Sequence, residues 1–245
     1  MGRTIVITGA GAGLGRAVAR RLGAGDDRVV LLGRTLSKLE AVAGDIGEAA
    51  TAVACDVASP DSVRQAFAEI AAKHGAIDVL INNAAVYEPF KIRDATDDQL
   101  MEAVMINYVG PMLTCRAALP MMSAGALIIN VSSESVHRGF AMLSLYQSSK
   151  AGMERFTDAL REEVKDEGIN VTIVRAGPMY DEETSNDWDP QVAREFAEQC
   201  MRRGIDLRAT PLSHYRSVAE LFHHLINLPA DLQAPQILLQ GRRPA

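Results

Sequence analysis

Near its start the chain runs from the apolar stretch Thr4-Ile5-Val6-Ile7-Thr8 into Gly9-Ala10-Gly11-Ala12-Gly13-Leu14-Gly15-Arg16, and then into a segment of helical period. A short β-branched run, a glycine-rich turn and a helix in direct succession are the opening of a βαβ unit. Glycine permits the tight turn and lets backbone N–H groups approach a pyrophosphate, and the helix that follows offers its positive end to the same anion. The candidate nucleotide contacts are therefore Thr8, Gly9, Gly11, Ala12, Gly13, Leu14 and Gly15. Enzymes that use S-adenosyl-methionine also carry a glycine-rich turn after a first strand, so the turn alone leaves two cofactor classes open.

Further apolar runs fall at 28–32, 52–54, 79–82, 126–131, 170–175 and 236–239. They are short and nearly continuously apolar, as parallel strands covered on both faces are. Helical periods lie between them at about 13–24, 35–48, 60–74, 97–123, 144–167, 190–203 and 216–228. Ser59-Pro60-Asp61 reads as a helix start, with serine as cap and proline in the first turn. The alternation predicts a doubly wound, Rossmann-like α/β fold: a parallel seven-stranded sheet with helices on both faces, in a single domain over 1–245. No linker, internal repeat or low-complexity tract divides it. The one long irregular stretch, about 176–190, follows the sixth strand, at the end of the sheet where ligands bind. A substrate lid over about 177–205 is expected there, with a plain surface connection as the other reading.

Charge and composition limit the partners. The net charge of -6 argues against a nucleic-acid surface, which normally shows a basic stripe. No stretch reaches the ~18 apolar residues of a membrane span, and the N-terminus has no signal-peptide pattern. No nucleic-acid or membrane partner is expected, and the expected location is cytoplasmic. Cys55, Cys115 and Cys200 are too scattered for a disulfide framework or a zinc site and read as reduced core thiols.

The second strand ends in Leu32-Gly33-Arg34-Thr35, where a site for NAD would normally place an acid for the ribose hydroxyls. Arg34 can meet a 2′-phosphate instead, so NADP is the favoured cofactor and NAD the alternative; Arg34 can also be a solvated residue at a helix start. Asp56, in Cys55-Asp56-Val57, can accept from an adenine amino group or cap the next helix. Asn82-Asn83-Ala84-Ala85 ends the fourth strand, where paired amides can tie sheet and cofactor together.

Tyr146 and Lys150 stand four residues apart in a helical segment and share one face. A phenol ionises near pH ~10, and a neighbouring cation favours the phenolate. Bringing the phenol to neutrality takes about 3 units, or roughly 4 kcal/mol. The product is a general acid/base matched to a carbonyl oxygen. Ser133, thirteen residues before Tyr146 and just after Leu127-Ile128-Ile129-Asn130-Val131-Ser132, can hydrogen-bond that oxygen. Ser132 should point to the other side of the sheet.

Taken together, these residues resemble the short-chain dehydrogenase/reductase family in its compact form, over nearly the whole chain. Thr8-Gly9, Gly13 and Gly15 match its cofactor loop, Asp56 its adenine-contacting aspartate, and Asn82–Ala85 its Asn-Asn-Ala-Gly segment with Ala85 in the glycine position. Asn107 matches its water-holding asparagine, and Ser133, Tyr146 and Lys150 its catalytic serine, tyrosine and lysine. The resemblance implies an NAD(P)-dependent oxidoreductase that moves hydride between nicotinamide and a carbonyl or secondary alcohol. Tyr146 would move the proton, Ser133 polarise the oxygen, Lys150 hold the ribose, and Asn107 with water complete a proton relay. Further cofactor contacts implied are Val57, Asn83, Ala84, Ala85, Gly177 and Met179. The family pattern has a threonine where Asp181 stands, and Pro178 follows Gly177 instead of preceding it.

The substrate is expected against Ser133, Ser135, His137, Tyr146, Tyr180 and Trp188, with Tyr87 nearby, and should be a medium-sized, partly hydrophobic carbonyl or alcohol. His137 can equally be a solvated loop residue. The family often forms homodimers or homotetramers. A protein that senses NADP(H) on the same fold without turnover is the alternative function.

Overall fold

Seven of the apolar runs become strands of one all-parallel sheet: β1 (Thr4–Thr8), β2 (Arg28–Gly33), β3 (Ala50–Ala54), β4 (Val79–Asn82), β5 (Leu127–Ser133), β6 (Asn170–Ala176) and, last in the chain, β9 (Gln236–Leu239). Two further strands, β7 (Met179–Tyr180) and β8 (Ser213–His214), form a separate small pair. The computed structural model describes residues 2–184 and 188–242. Strand order across the main sheet is β3-β2-β1-β4-β5-β6-β9. The chain therefore builds outward from β1 in one direction, then returns to β4 and builds in the other. The crevice at the carboxyl ends of β1 and β4 is the switch point at which such sheets bind ligands.

Alternation along each strand divides the core in two. Val6, Val30, Leu80 and Ile128 face a layer containing Phe67 and Ile70 of α3 (Pro60–His74), Leu113 of α5 (Gly110–Ala118) and Leu160 of α6 (Ser144–Glu163). Ile5, Ile7, Leu31, Ile81 and Ile129 face the other, with Leu14 and Val18 of α1 (Gly13–Leu22), Leu39 of α2 (Leu36–Ile46) and Phe222 of α8 (Tyr215–Leu225). Each such side chain contributes about 1.5–3 kcal/mol on burial. The doubly wound, single-sheet expectation is met. The three cysteines are free and buried, and burial raises their thiols, to about 11 for Cys55 and about 12 for Cys115. Among the described residues no helix is long and apolar enough to cross a membrane.

The helix expected over 97–123 is broken. It comprises α4 (Asp97–Val104), a π-helical turn at Met105–Val109, α5 and a 3-10 turn at Leu119–Met121. Pro111 is the reason: it has no N–H, so the carbonyl of Asn107, four residues back, loses its α-helical donor. The start of α4 follows the sequence closely. Thr96 and Gln99 form a reciprocal capping box there.

Candidate active site

The glycine loop lies at the carboxyl end of β1, against that of β4. Gly9 and Gly13 hold φ of +67° and +51°, which side chains rarely adopt. A Cβ on Gly15 would stand 2.2 Å from the Gly9 carbonyl oxygen and 2.6 Å from Asn83 Nδ2. Helix α1 has no side-chain cap at Ala12 and no acid in its first turn. Its first N–H groups and positive end therefore remain open to an anion. This cradle fits the pyrophosphate of a dinucleotide. Thr8 lies buried beneath the loop, and its hydroxyl accepts from Asn83 N and Ala84 N, both at 3.0 Å. Asn83 Nδ2 donates back to the carbonyls of Thr8 (3.1 Å) and Gly9 (3.4 Å). Ala85 is exposed, Gly11 lies in the loop, and Leu14 is buried in the first turn of α1. These bonds realise the tie between fourth strand and cofactor loop that the paired amides suggested.

At the adenine end, Arg34 is 60% exposed and paired with Glu102 at 3.2 Å. A cleft of about 520 Å³ beside β3 includes Arg34, Leu36, Cys55, Asp56 and Ser62 in its wall. Asp56 does not cap α3: Ser59 does, accepting from Ser62 N at 3.3 Å. Asp56 instead accepts from Ala58 N at 3.0 Å, a local turn that leaves carboxylate capacity for another donor. Val57 is buried against Gly110 and so ties this loop to the π-helical turn.

The catalytic candidates meet at the carboxyl end of β5. Ser133 is the last residue of that strand, and Tyr146 and Lys150 lie in the first two turns of α6. Ser133 lies beside the Tyr146 phenol and acts to lower its pKa. Lys150 is buried, and its Nζ donates to the Val131 carbonyl at 2.8 Å. Burial draws the Lys150 ammonium down to about 8, with Glu154 acting in the opposite sense. Burial also pushes the Tyr146 phenol above its ordinary value, and Ser133 only partly opposes it. The lowered phenol expected from the Tyr–Lys spacing is thus not the net result, because desolvation outweighs the lowering by Ser133. Asn107 is fully buried in the π-helical turn. Its amide is committed on both sides, accepting from Val86 N (2.8 Å) and donating to Val86 O (2.9 Å) and Ser149 Oγ (3.2 Å). Ser135 is buried, its Oγ has no hydrogen-bond partner, and its N–H donates to Ser133 Oγ at 3.2 Å. Ser132 points away from Ser133's side, as the strand pattern requires, and reaches Glu154.

The substrate side is aromatic. Tyr87 lies edge-on to Tyr146 at 5.0 Å, Trp188 packs on Tyr87 at 4.9 Å, and Phe196 meets Trp188 at 6.0 Å. Trp188 Nε1 donates to the Tyr87 carbonyl at 3.1 Å. The expected lid is resolved into β7, the helix α7 (Pro190–Met201) and the stretch that leads to β8; its residues 185–187 lie outside the described part. Gly177 N donates to the Leu239 carbonyl at 2.9 Å, the atom a Cβ there would strike. Met179 packs on the α8 side of the core. Tyr180 lies edge-on to His214 at 5.2 Å. Asp181, in the family's threonine position, pairs with Arg16 at 2.8 Å with both side chains shielded. His137 is exposed. Sequence reading missed the Arg16–Asp181 pair, for which opposite charge was the only signal, and the cluster around Glu154, whose spacing of four from Lys150 was readable.

Comparison with known proteins agrees with this geometry. The family described as short chain dehydrogenase matches residues 3–192. The chain is 30% identical to carbonyl reductase family member 4 of Danio rerio, over 97% of this chain and 94% of that protein. It is 34% identical to 3-oxoacyl-[acyl-carrier-protein] reductase of Bos taurus, over 84% of each. A metagenomic short-chain oxidoreductase crystallised with NADP superposes with a TM-score of 0.79 at 25% identity, covering 99% of this chain and 98% of that one.

Proposed function

The chain belongs to the short-chain dehydrogenase family, and from that premise we propose that it is an NADP-dependent oxidoreductase acting between a carbonyl group and a secondary alcohol, with Tyr146 as general acid/base. The observation that carries this reading is the placement of Ser133 beside the Tyr146 phenol, one helical turn from buried Lys150. In reduction Tyr146 gives its proton to the carbonyl oxygen; in oxidation it removes one from the alcohol. Ser133 orients and polarises the same oxygen. Lys150, anchored on Val131, has N–H donors left for ribose hydroxyls and holds positive charge below the forming phenolate. The glycine loop and Lys150 would hold a nicotinamide dinucleotide, which when bound would supply or accept the hydride. The Asn107 carbonyl, robbed of its helical donor by Pro111, is the group for a relay water.

NADP is favoured because Arg34 directly follows β2, where no acid stands. Replacing Arg34 with alanine should raise the KM for NADPH about 10-fold or more and leave that for NADH nearly unchanged, since a charge-assisted phosphate bond contributes about 1.5–3 kcal/mol. The names of the relatives direct the first substrate panel: simple ketones and 3-oxoacyl thioesters, with both cofactors, followed by absorbance of the reduced nicotinamide. NADPH binding without any turnover would turn the reading to a cofactor sensor. We also propose a homodimer or homotetramer, supported by the exposed Met101 and Leu238; sedimentation analysis tests it.

A further inference from the structure

Glu154 lies one turn beyond Lys150 on α6, on the same face, and is 6% exposed. Its Oε1 accepts from Ser132 Oγ (2.5 Å) and Arg175 Nε (2.7 Å), and its Oε2 accepts from Arg175 Nη2 (2.5 Å). Ser132 and Arg175 face each other across the register of β5 and β6. Each donor is a close chain neighbour of a site group. Ser132 separates Ser133 from Val131, whose carbonyl anchors Lys150. Arg175 stands two residues before Gly177.

Resting on the reaction proposed above, we propose that Glu154 is a positioning residue. Its carboxylate clamps the site ends of α6, β5 and β6 in one frame and keeps the buried Lys150 beside a balancing charge.

Fold stability alone does not call for this arrangement. A buried ion pair is often no more stabilising than apolar side chains of the same volume, because both charges lose their water. What apolar side chains cannot supply is a negative charge near a buried ammonium. Tyr146 and Glu154 share the helix face of Lys150, the Val131 carbonyl meets it from β5, and neutral Asn107 binds the adjacent Ser149 from the π-helical turn. On β6, Arg175 is bound to Glu154 and also influenced by Asp158. Glu154 is thus the one carboxylate that acts on Lys150 among the described residues, and burial opposes it. Without it, the buried ammonium would have no counter-charge.

The chain has five lysines, so selective ¹³C labelling of lysine Cε gives a countable spectrum, with Lys150→Met identifying the resonance of Lys150. In the free protein that resonance should titrate near pH 8. In Glu154→Gln the midpoint should fall by about 1 unit, and in Glu154→Asp it should return most of the way. A shift of about 1 unit lowers the protonated fraction about 2-fold at pH ~7 and about 10-fold at pH ~9, so the alkaline limb of kcat/KM should move down with it. Arg175→Met removes the competing cation and should move the midpoint up, which keeps the test open where Glu154→Gln does not fold. Equal midpoints in the parent and in either variant would overturn the proposal and leave Glu154 a purely structural residue. Lack of turnover on every substrate would count against the proposed reaction instead, because the titration needs none.

Discussion

The catalytic face of α6 and the segment that follows β6 are held by different means. On α6 the fastening is buried and short-ranged. Asn107 reaches Ser149, Lys150 reaches Val131, Glu154 reaches Ser132 and Arg175, and Thr157 receives Asn130, which itself receives Asn82. After β6 the chain is held by ion pairs, of which Arg16–Asp181 is shielded and the others are open to solvent on at least one side. Arg16 binds Asp181 and Glu183, Arg20 binds Glu183, and His214 binds Glu182, with Lys91–Glu195 joining the Tyr87 loop to α7. Buried networks tolerate little, because any member removed leaves another unsatisfied. Exposed pairs are screened by salt and worth little each. The difference separates the groups proposed to do the chemistry, which sit in the buried network, from the wall proposed to meet the substrate, which can adjust.

The largest expected effect lies in the buried network. Tyr146→Phe should lower kcat about 10²–10⁴-fold with unfolding behaviour close to that of the parent. Trp188→Ala, on the adjustable side, should act mainly on KM; an equal loss of kcat from it would erase the distinction. Next in size is Asn130→Ala, which removes one bond each from Asn82 Nδ2 and the Thr157 hydroxyl and leaves them Cys115 Sγ and the Met153 carbonyl. It should cost about 1–3 kcal/mol in denaturant unfolding, because a buried hydrogen bond contributes ~0.5–1.5 kcal/mol. Asp181→Asn should do less: a KM increase of a few-fold, kcat retained, and a stability change within about 1–2 kcal/mol. The parent's KM should rise with added salt and the variant's should not.

The smallest effect concerns acid. Burial alone would raise the Asp181 carboxyl, but bonds from Thr184 and Arg16 hold it below its ordinary value. A depressed carboxyl stabilises the fold above its unfolded pKa of ~3.9 and loses that contribution as pH falls through the lower folded value. The β7 region should therefore loosen first below pH ~4, which hydrogen exchange can follow. Uniform loss across α6 and β7 would contradict the comparison.

Legibility in the sequence follows the same line. The strands could be read because runs buried on both faces carry few polar residues. Ser133, Tyr146 and Lys150 could be read because strand end and helical spacing are local. The break at Asn107 could have been read from Gly110-Pro111, yet the apolar period runs straight through it and suggested one helix. The β7–β8 pair could not: two residues a side carry no period, and their partners are more than thirty positions apart. Asp181 and Tyr180 were placed by their position in the family pattern, whereas Arg16 and His214, brought near by tertiary folding, decided their contacts.

The three shielded thiols give this chain its own clocks. Cys55 stands beside the Arg34 cleft, Cys115 touches Asn82 behind the catalytic face, and Cys200 is packed with Phe196 under the aromatic wall. With their pKa values raised by burial, none reacts until its surroundings open. The labelling rate at each sulfur therefore reports how often one particular part of the protein breathes, with Cys200 the first to be reached and Cys115 the last.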